Sequence, residues 1–224
     1  MTAQDIRSTV KVCMFDQYGT VVDMQGGLVE AATPYLRAKG WQGNPNSFVT
    51  WWRRTHFENS MIDALLHREH TPYREIGERS VAYVLDRAGI SYTMDEVRSL
   101  VDHIVRLRPF PEVPAALDRL RTRYRLVVLS NGDPDMLETA KAYHGIAFER
   151  TISVAVANSF KRTSRRIPMQ RILLACGWRR CCSSPITRST ALARRRPGCA
   201  PRSLIAGVGR LAPRHISPIC WCPA

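Results

Sequence analysis

The chain has 224 residues, 45% of them hydrophobic, and a formal net charge of +14. That length accommodates one core with an inserted subdomain. No apolar run approaches the roughly 18 residues that cross a bilayer, and no secretory leader opens the sequence, so a cytoplasmic protein with reduced cysteines and no membrane partner is expected.

The charge is unevenly placed. All 19 acidic residues lie at or before Glu149, where 18 Lys and Arg nearly balance them. Residues 150–224 hold 14 Arg, one Lys, no acid and six of the seven cysteines. The basic character is therefore a property of the tail rather than of the whole chain.

Val10 to Phe15 is an apolar run with β-branched and aromatic residues, which predicts a strand, and it delivers Asp16 to a turn reading Gln17-Tyr18-Gly19-Thr20. The carboxyl end of such a strand is where open α/β sheets bind ligands, and this marks Asp16 as a candidate nucleophile. An Asp in a turn also serves as a plain cap, so the segment alone leaves both readings open.

Helical patterns follow. Gly26 to Lys39 reads as a helix bent or restarted at Pro34 and stopped at Gly40. Asn46 to His67 carries an apolar stripe that includes Phe48, Trp51, Trp52 and Phe57, read as helix packing. Tyr73 to Arg87 predicts a third helix, closed by Gly89. Thr93 and Glu96 form a capping box that opens a fourth. Four helices in a row without a strand signal suggest an all-helical insertion.

The α/β alternation then resumes. Glu112 to Arg123 predicts a short helix, Arg125 to Ser130 a strand running into Asn131-Gly132, and Met136 to His144 a helix capped by Asp133 and opened by Pro134. Thr151 to Ala155 reads as a third parallel strand. The expected architecture is α/β, a doubly wound, Rossmann-like parallel sheet with an inserted helical cap subdomain. Its division is 1–20 and 108–161 for the core, 21–107 for the cap, and 162–224 for an Arg- and Cys-rich tail.

Phe-Asp-x-Tyr-Gly-Thr at residues 15–20, Leu-Ser-Asn-Gly at 129–132 and Asn-Ser-Phe-Lys at 158–161, in that order around a helical insertion, resemble the haloacid dehalogenase superfamily, and within it the L-2-haloacid dehalogenases. The resemblance covers about residues 8 to 161. It implies a hydrolase that turns short L-2-haloalkanoic acids into D-2-hydroxy acids in two steps. Asp16 attacks the halogen-bearing carbon to form an ester, and water then hydrolyses that ester at the Asp carbonyl. No cofactor and no metal are implied.

The same resemblance assigns Lys161 as the cation that keeps Asp16 ionised, and Thr20, Ser130, Asn131 and the amides of Gln17 and Tyr18 as groups that bind carboxylates. It places halide on Arg53 beside Trp52, with Arg54 as the rival should the register differ by one. Phosphatases of the superfamily usually carry a second Asp two residues after the nucleophile. Tyr18 stands there, and halide departs without the proton that such an Asp supplies. A homodimer is compatible with the resemblance, and the partners it implies are a 2-haloacid and halide.

Beyond Lys161 the family pattern stops. The last Asp is Asp135 and the last Asn is Asn158, so the distal carboxylate that the family uses to activate water is missing. A shifted reading frame accounts for the joint loss of acids, motif and periodicity, and it predicts impaired ester hydrolysis. Two rival functions remain. Arg194-Arg195-Arg196 could neutralise nucleic-acid phosphates, but only Trp178 and Trp221 are available there for stacking. The Cys181-Cys182 and Cys220-x-Cys222 pairs lack structural zinc spacing. His67 and His70 read as surface residues.

Overall fold

A computed structural model describes residues 10–66, 70–157, 160 and the backbone of 219–220. The asparagine, serine and lysine of the third motif, at 158, 159 and 161, lie outside the described residues. So do His67, the cysteines other than Cys13 and Cys220, and the arginine-rich stretch of the tail.

Strand β1 (Val12–Phe15) is buried at every position, as expected of a central strand covered on both faces. It pairs in parallel with β2 (Arg125–Ser130), which pairs in parallel with β3 (Arg150–Ser153). A two-residue strand β4 (Ile219–Cys220) runs antiparallel along the other side of β1, giving the order β3-β2-β1-β4. Because β1 and β2 share direction and register, with Phe15 opposite Val128, residues 16–20 and 130–133 leave the sheet at the same edge.

Between β1 and β2 the described chain is helical and contains no strand. Helix α1 (Met24–Ala38) is continuous through Pro34, not restarted there. The carbonyl that Pro34 leaves unpaired belongs to exposed Glu30, while buried Leu28, Ala32 and Leu36 hold the inner face. The helix also starts two residues before Gly26, because Asp23 accepts a 2.8 Å hydrogen bond from the Gly26 amide.

Helix α2 (Pro45–Leu66) buries Phe48, Trp52, His56, Ser60 and Ala64, one residue in every four. Trp51 and Phe57 lie off that row and are exposed at 49% and 48%, which corrects their reading as helix packing. Trp51 instead stacks under the guanidinium groups of Arg54 and Arg87.

Helices α3 (Tyr73–Arg87) and α4 (Met94–Asp102) follow, the latter opened by the expected capping box of Thr93 and Glu96. A 3₁₀ turn (His103–Arg106) then leads to α5 (Val113–Arg121), and α6 (Pro134–His144) lies between β2 and β3. Strand β3 ends two residues before the predicted Ala155. There the Ser153 hydroxyl donates to the Gly132 carbonyl at 2.6 Å and accepts from the Ala155 amide at 3.1 Å, turning the chain into a 3₁₀ helix (Val154–Ala157). No helix among the described residues is long and apolar enough to cross a membrane.

Candidate active site

Two turns at the carboxyl edge of the sheet build the site. In the first, the Gln17 carbonyl accepts hydrogen bonds from the amides of Thr20, Val21 and Val22, and the Gly19 amide donates to Val22. The chain thus closes into a tight loop directly after Asp16. Gly19 has φ 81°, a left-handed conformation that glycine adopts without strain. A Cβ there would also stand 3.2 Å from Arg53 Nη2, so the guanidinium rests on the turn that follows the nucleophile.

Arg53 is held in this place. Its Nη1 donates to Gln25 Oε1 at 2.7 Å, and burial lowers its pKa, opposed by the nearby Tyr73 and Asp23. Arg54 points elsewhere, pairing with Glu58 at 2.7 Å on the exposed face of α2. The two neighbours therefore face differently: Arg53, half-buried, lies against the turn after Asp16, whereas Arg54 lies on the exposed face beside Trp51.

The second turn is 130–133. Ser130 is buried and its Oγ accepts from the Gly132 amide at 3.2 Å, while the Gly132 carbonyl is bound by Ser153. A Cβ on Gly132 would come within 2.9 Å of Tyr18 Cε2 and 3.0 Å of Leu137 Cδ2, so glycine leaves room for the hydroxyl end of the Tyr18 ring beside this loop. Asn131 is partly exposed at the same edge, as are Asp16 and Thr20.

Tyr18 stacks on Tyr73 with ring centroids 5.7 Å apart and planes 9° from parallel. Sequence reasoning missed Tyr73 as a site residue, having used it only as a helix start. Burial raises the Tyr73 phenol pKa, the Asp16 carboxylate adds to the rise, and Arg53 opposes it. Tyr73 thus lies within electrostatic reach of both the candidate nucleophile and the candidate halide ligand. Burial likewise raises Tyr18, and its hydroxyl has no hydrogen-bond partner among the described residues. The Gln17 amide nitrogen and Trp52 Nε1 are buried in the same condition. For Gln17 and Tyr18 these are side-chain groups, distinct from the backbone amides that the resemblance assigns, and Trp52 is packed in the core at 1% exposure.

His56 closes the aromatic group, its ring 4.1 Å from that of Tyr73. Burial pushes its pKa down to about 3, so it is neutral in the folded protein. The unfolded chain binds the proton from about pH 6.5 downward, and stability therefore falls as pH drops below that value, by about 1.4 kcal/mol per unit. Denaturant titrations between pH 7 and pH 4 should show this loss, and His56→Gln should flatten it.

His70 also differs from its surface reading. It packs at 4.7 Å on the Phe160 ring, and burial lowers its pKa against opposing Asp133 and Asp63. Asp133 does not cap α6 with its side chain. Its carboxylate instead receives the amides of Tyr73 and Arg74, each at 2.9 Å, across the boundary between the helices and the sheet.

Comparisons with known proteins fit this geometry. Residues 10–185 match the haloacid dehalogenase-like hydrolase family, and the chain belongs to that family of hydrolases. It is 30% identical over 154 residues to an (S)-2-haloacid dehalogenase of Xanthobacter autotrophicus, covering 68% of this chain and 58% of that one. Haloacetate dehalogenase H-2 of Moraxella sp. (strain B) is 28% identical over 155 residues, covering 68% and 66%. Among solved structures, the L-2-haloacid dehalogenase from Xanthobacter autotrophicus with chloropropionic acid covalently bound superposes with a TM-score of 0.64 at 26% identity, covering 75% of this chain and 65% of that one. The chain thus spans 58–66% of the length of these relatives.

Proposed function

We propose that the protein dehalogenates short L-2-haloalkanoic acids through an ester on Asp16, and that hydrolysis of this ester to the D-2-hydroxy acid is impaired in this chain. The observation that carries the reading is the site's layout. A carboxylate leaves β1 at the sheet edge, Tyr18 rather than a second acid stands two residues on, and a partly buried Arg53 rests on the intervening turn. The (S)-2-haloacid and haloacetate dehalogenases among the relatives support the same chemistry.

In the first step an Asp16 oxygen forms a bond to C2 of the substrate from the face opposite the halogen. The C–halogen electron pair leaves as halide, which Arg53 receives. Ser130, Asn131, Thr20 and the amides of Gln17 and Tyr18 bind the two carboxylates, and Lys161, outside the described residues, is the cation that the family resemblance pairs with Asp16. In the second step water adds to the Asp16 carbonyl and releases the hydroxy acid. Residues 150–224 contain no Asp or Glu, so they supply no carboxylate to activate the water of this step. A phosphatase reading is disfavoured because Tyr18 cannot protonate a leaving alkoxide as a carboxylic acid would.

The proposal extends to the rest of the molecule: a core of 1–20 and 108–161, a cap of 21–107, a cytoplasmic location and a homodimeric assembly. Intact-mass analysis and chloride release with L- and D-2-chloropropionate test the activity. The expected result is about one chloride per chain from the L enantiomer only, with the Asp16 peptide left alkylated. Continuous turnover would refute the impairment. Neither chloride nor adduct from the L enantiomer would refute dehalogenation.

A further inference from the structure

We propose that Asp133 is a positioning residue, which through the two amides that open α3 sets the Tyr73 ring against Tyr18 beside the Asp16 nucleophile. The inference rests on the dehalogenase reading above for its kinetic part and on geometry for the rest.

Helix α3 starts after Pro72, which has no side-chain acceptor and leaves the first amides of the helix without a local cap. Asp133 supplies the cap from 60 residues away, one carboxylate oxygen to Tyr73 N and the other to Arg74 N. An acid at a helix N-terminus also meets the positive end of the helix dipole. Charge-assisted bonds of this kind are about twice as strong as neutral ones.

The cap itself is anchored. Gly132, its neighbour, is fixed to Ser130 and to Ser153 of β3, so the carboxylate is referenced to the sheet. Tyr73 then stacks on Tyr18, and Tyr18 packs on Gly132. The restraints form a closed ring, running from β3 through Gly132 and Asp133 to Tyr73 and back through Tyr18 to Gly132. Asp16 lies two residues before Tyr18, and its carboxylate acts electrostatically on the Tyr73 phenol. On the outer side, the Arg74 guanidinium binds Asp102 and Asp135, which braces the same helix start. Removing Asp133 opens the ring at the bond pair that joins the start of α3 to the turn after β2.

The test uses the full chain with Asp133→Ala and Asp133→Asn. Amide exchange at Tyr73 and Arg74 is measured alongside the rate of Asp16 alkylation by L-2-chloropropionate under single-turnover conditions. In Asp133→Ala the two amides should exchange about tenfold faster, with the amides of α4 unchanged, and the saturating alkylation rate should fall about tenfold, the scale of a small misplacement at a reacting centre. Asp133→Asn keeps one acceptor and should recover alkylation to within about threefold of the parent. Unchanged exchange at Tyr73 and Arg74, or an unchanged alkylation rate in Asp133→Ala, overturns the proposal. Should Asp133→Ala fail to fold, amide exchange in Asp133→Asn decides, and exchange unchanged from the parent at both Tyr73 and Arg74 overturns the proposal. A parent chain that is never alkylated refutes the dehalogenase reading instead, and exchange at the two amides then decides whether Asp133 holds the start of α3.

Discussion

Asp16→Ala should abolish adduct formation and lower halide release by about 10⁴-fold or more, the scale on which enzymes respond to loss of a nucleophile. The residue is placed by two independent features. The all-buried β1 carries it to the sheet edge, and the Gln17 carbonyl, by binding three following amides, turns the chain directly after it. Neither feature depends on the side chain of residue 16, so the variant should keep its fold. Circular dichroism and denaturant midpoint should stay near those of the parent while chloride release from L-2-chloropropionate disappears. Labelled water reads the second step in the parent: solvent oxygen enters the Asp16 carboxylate only when the ester is hydrolysed, so the adduct should form with little label incorporated. Chloride release that survives Asp16→Ala would mean another group displaces the halide.

Much of this arrangement is legible in the sequence because it depends on local periodicity. A run such as Arg125–Ser130 has one way to be buried on both faces, and Thr93 with Glu96 announces a helix start three residues apart. The order of the motifs brings Asp16 and Ser130 to one edge, since parallel strands end on the same side. What stays hidden is whatever joins distant segments. Asp133 stands next to Pro134 and has every mark of a local cap, yet its carboxylate serves a helix 60 residues earlier, and no spacing rule couples the two. Trp51 and Trp52 are chemically alike, and only the packing of α2 against α1 and α3 decides which one is buried. Tyr73 was visible as a helix start, and its stacking on Tyr18 emerges only in three dimensions.

The choice between the two arginines has a measurable consequence. Arg53→Met should lower the rate of Asp16 alkylation by about 10²- to 10³-fold, the usual effect of removing a donor aimed at developing charge. Arg54→Met should change it less than about twofold, because an exposed i,i+4 ion pair contributes little beyond the helix surface. The difference follows from preorganisation. Arg53 is clamped by Gln25 and seated on Gly19, and its partial burial weakens competing hydration, so its positive charge is available to a departing halide at no further ordering cost. Gln25→Ala should then produce a smaller loss of the same kind, by freeing the guanidinium without removing it. Lysine is a poor substitute at residue 53, since one compact ammonium cannot both hold Gln25 Oε1 and reach the turn that the two nitrogens of the guanidinium fork span together. Arg53→Lys should therefore resemble Arg53→Met more than the parent. If Arg54→Met proves the more damaging variant in single-turnover alkylation, the halide lies on the outer face of α2 and the site must be redrawn around Trp51.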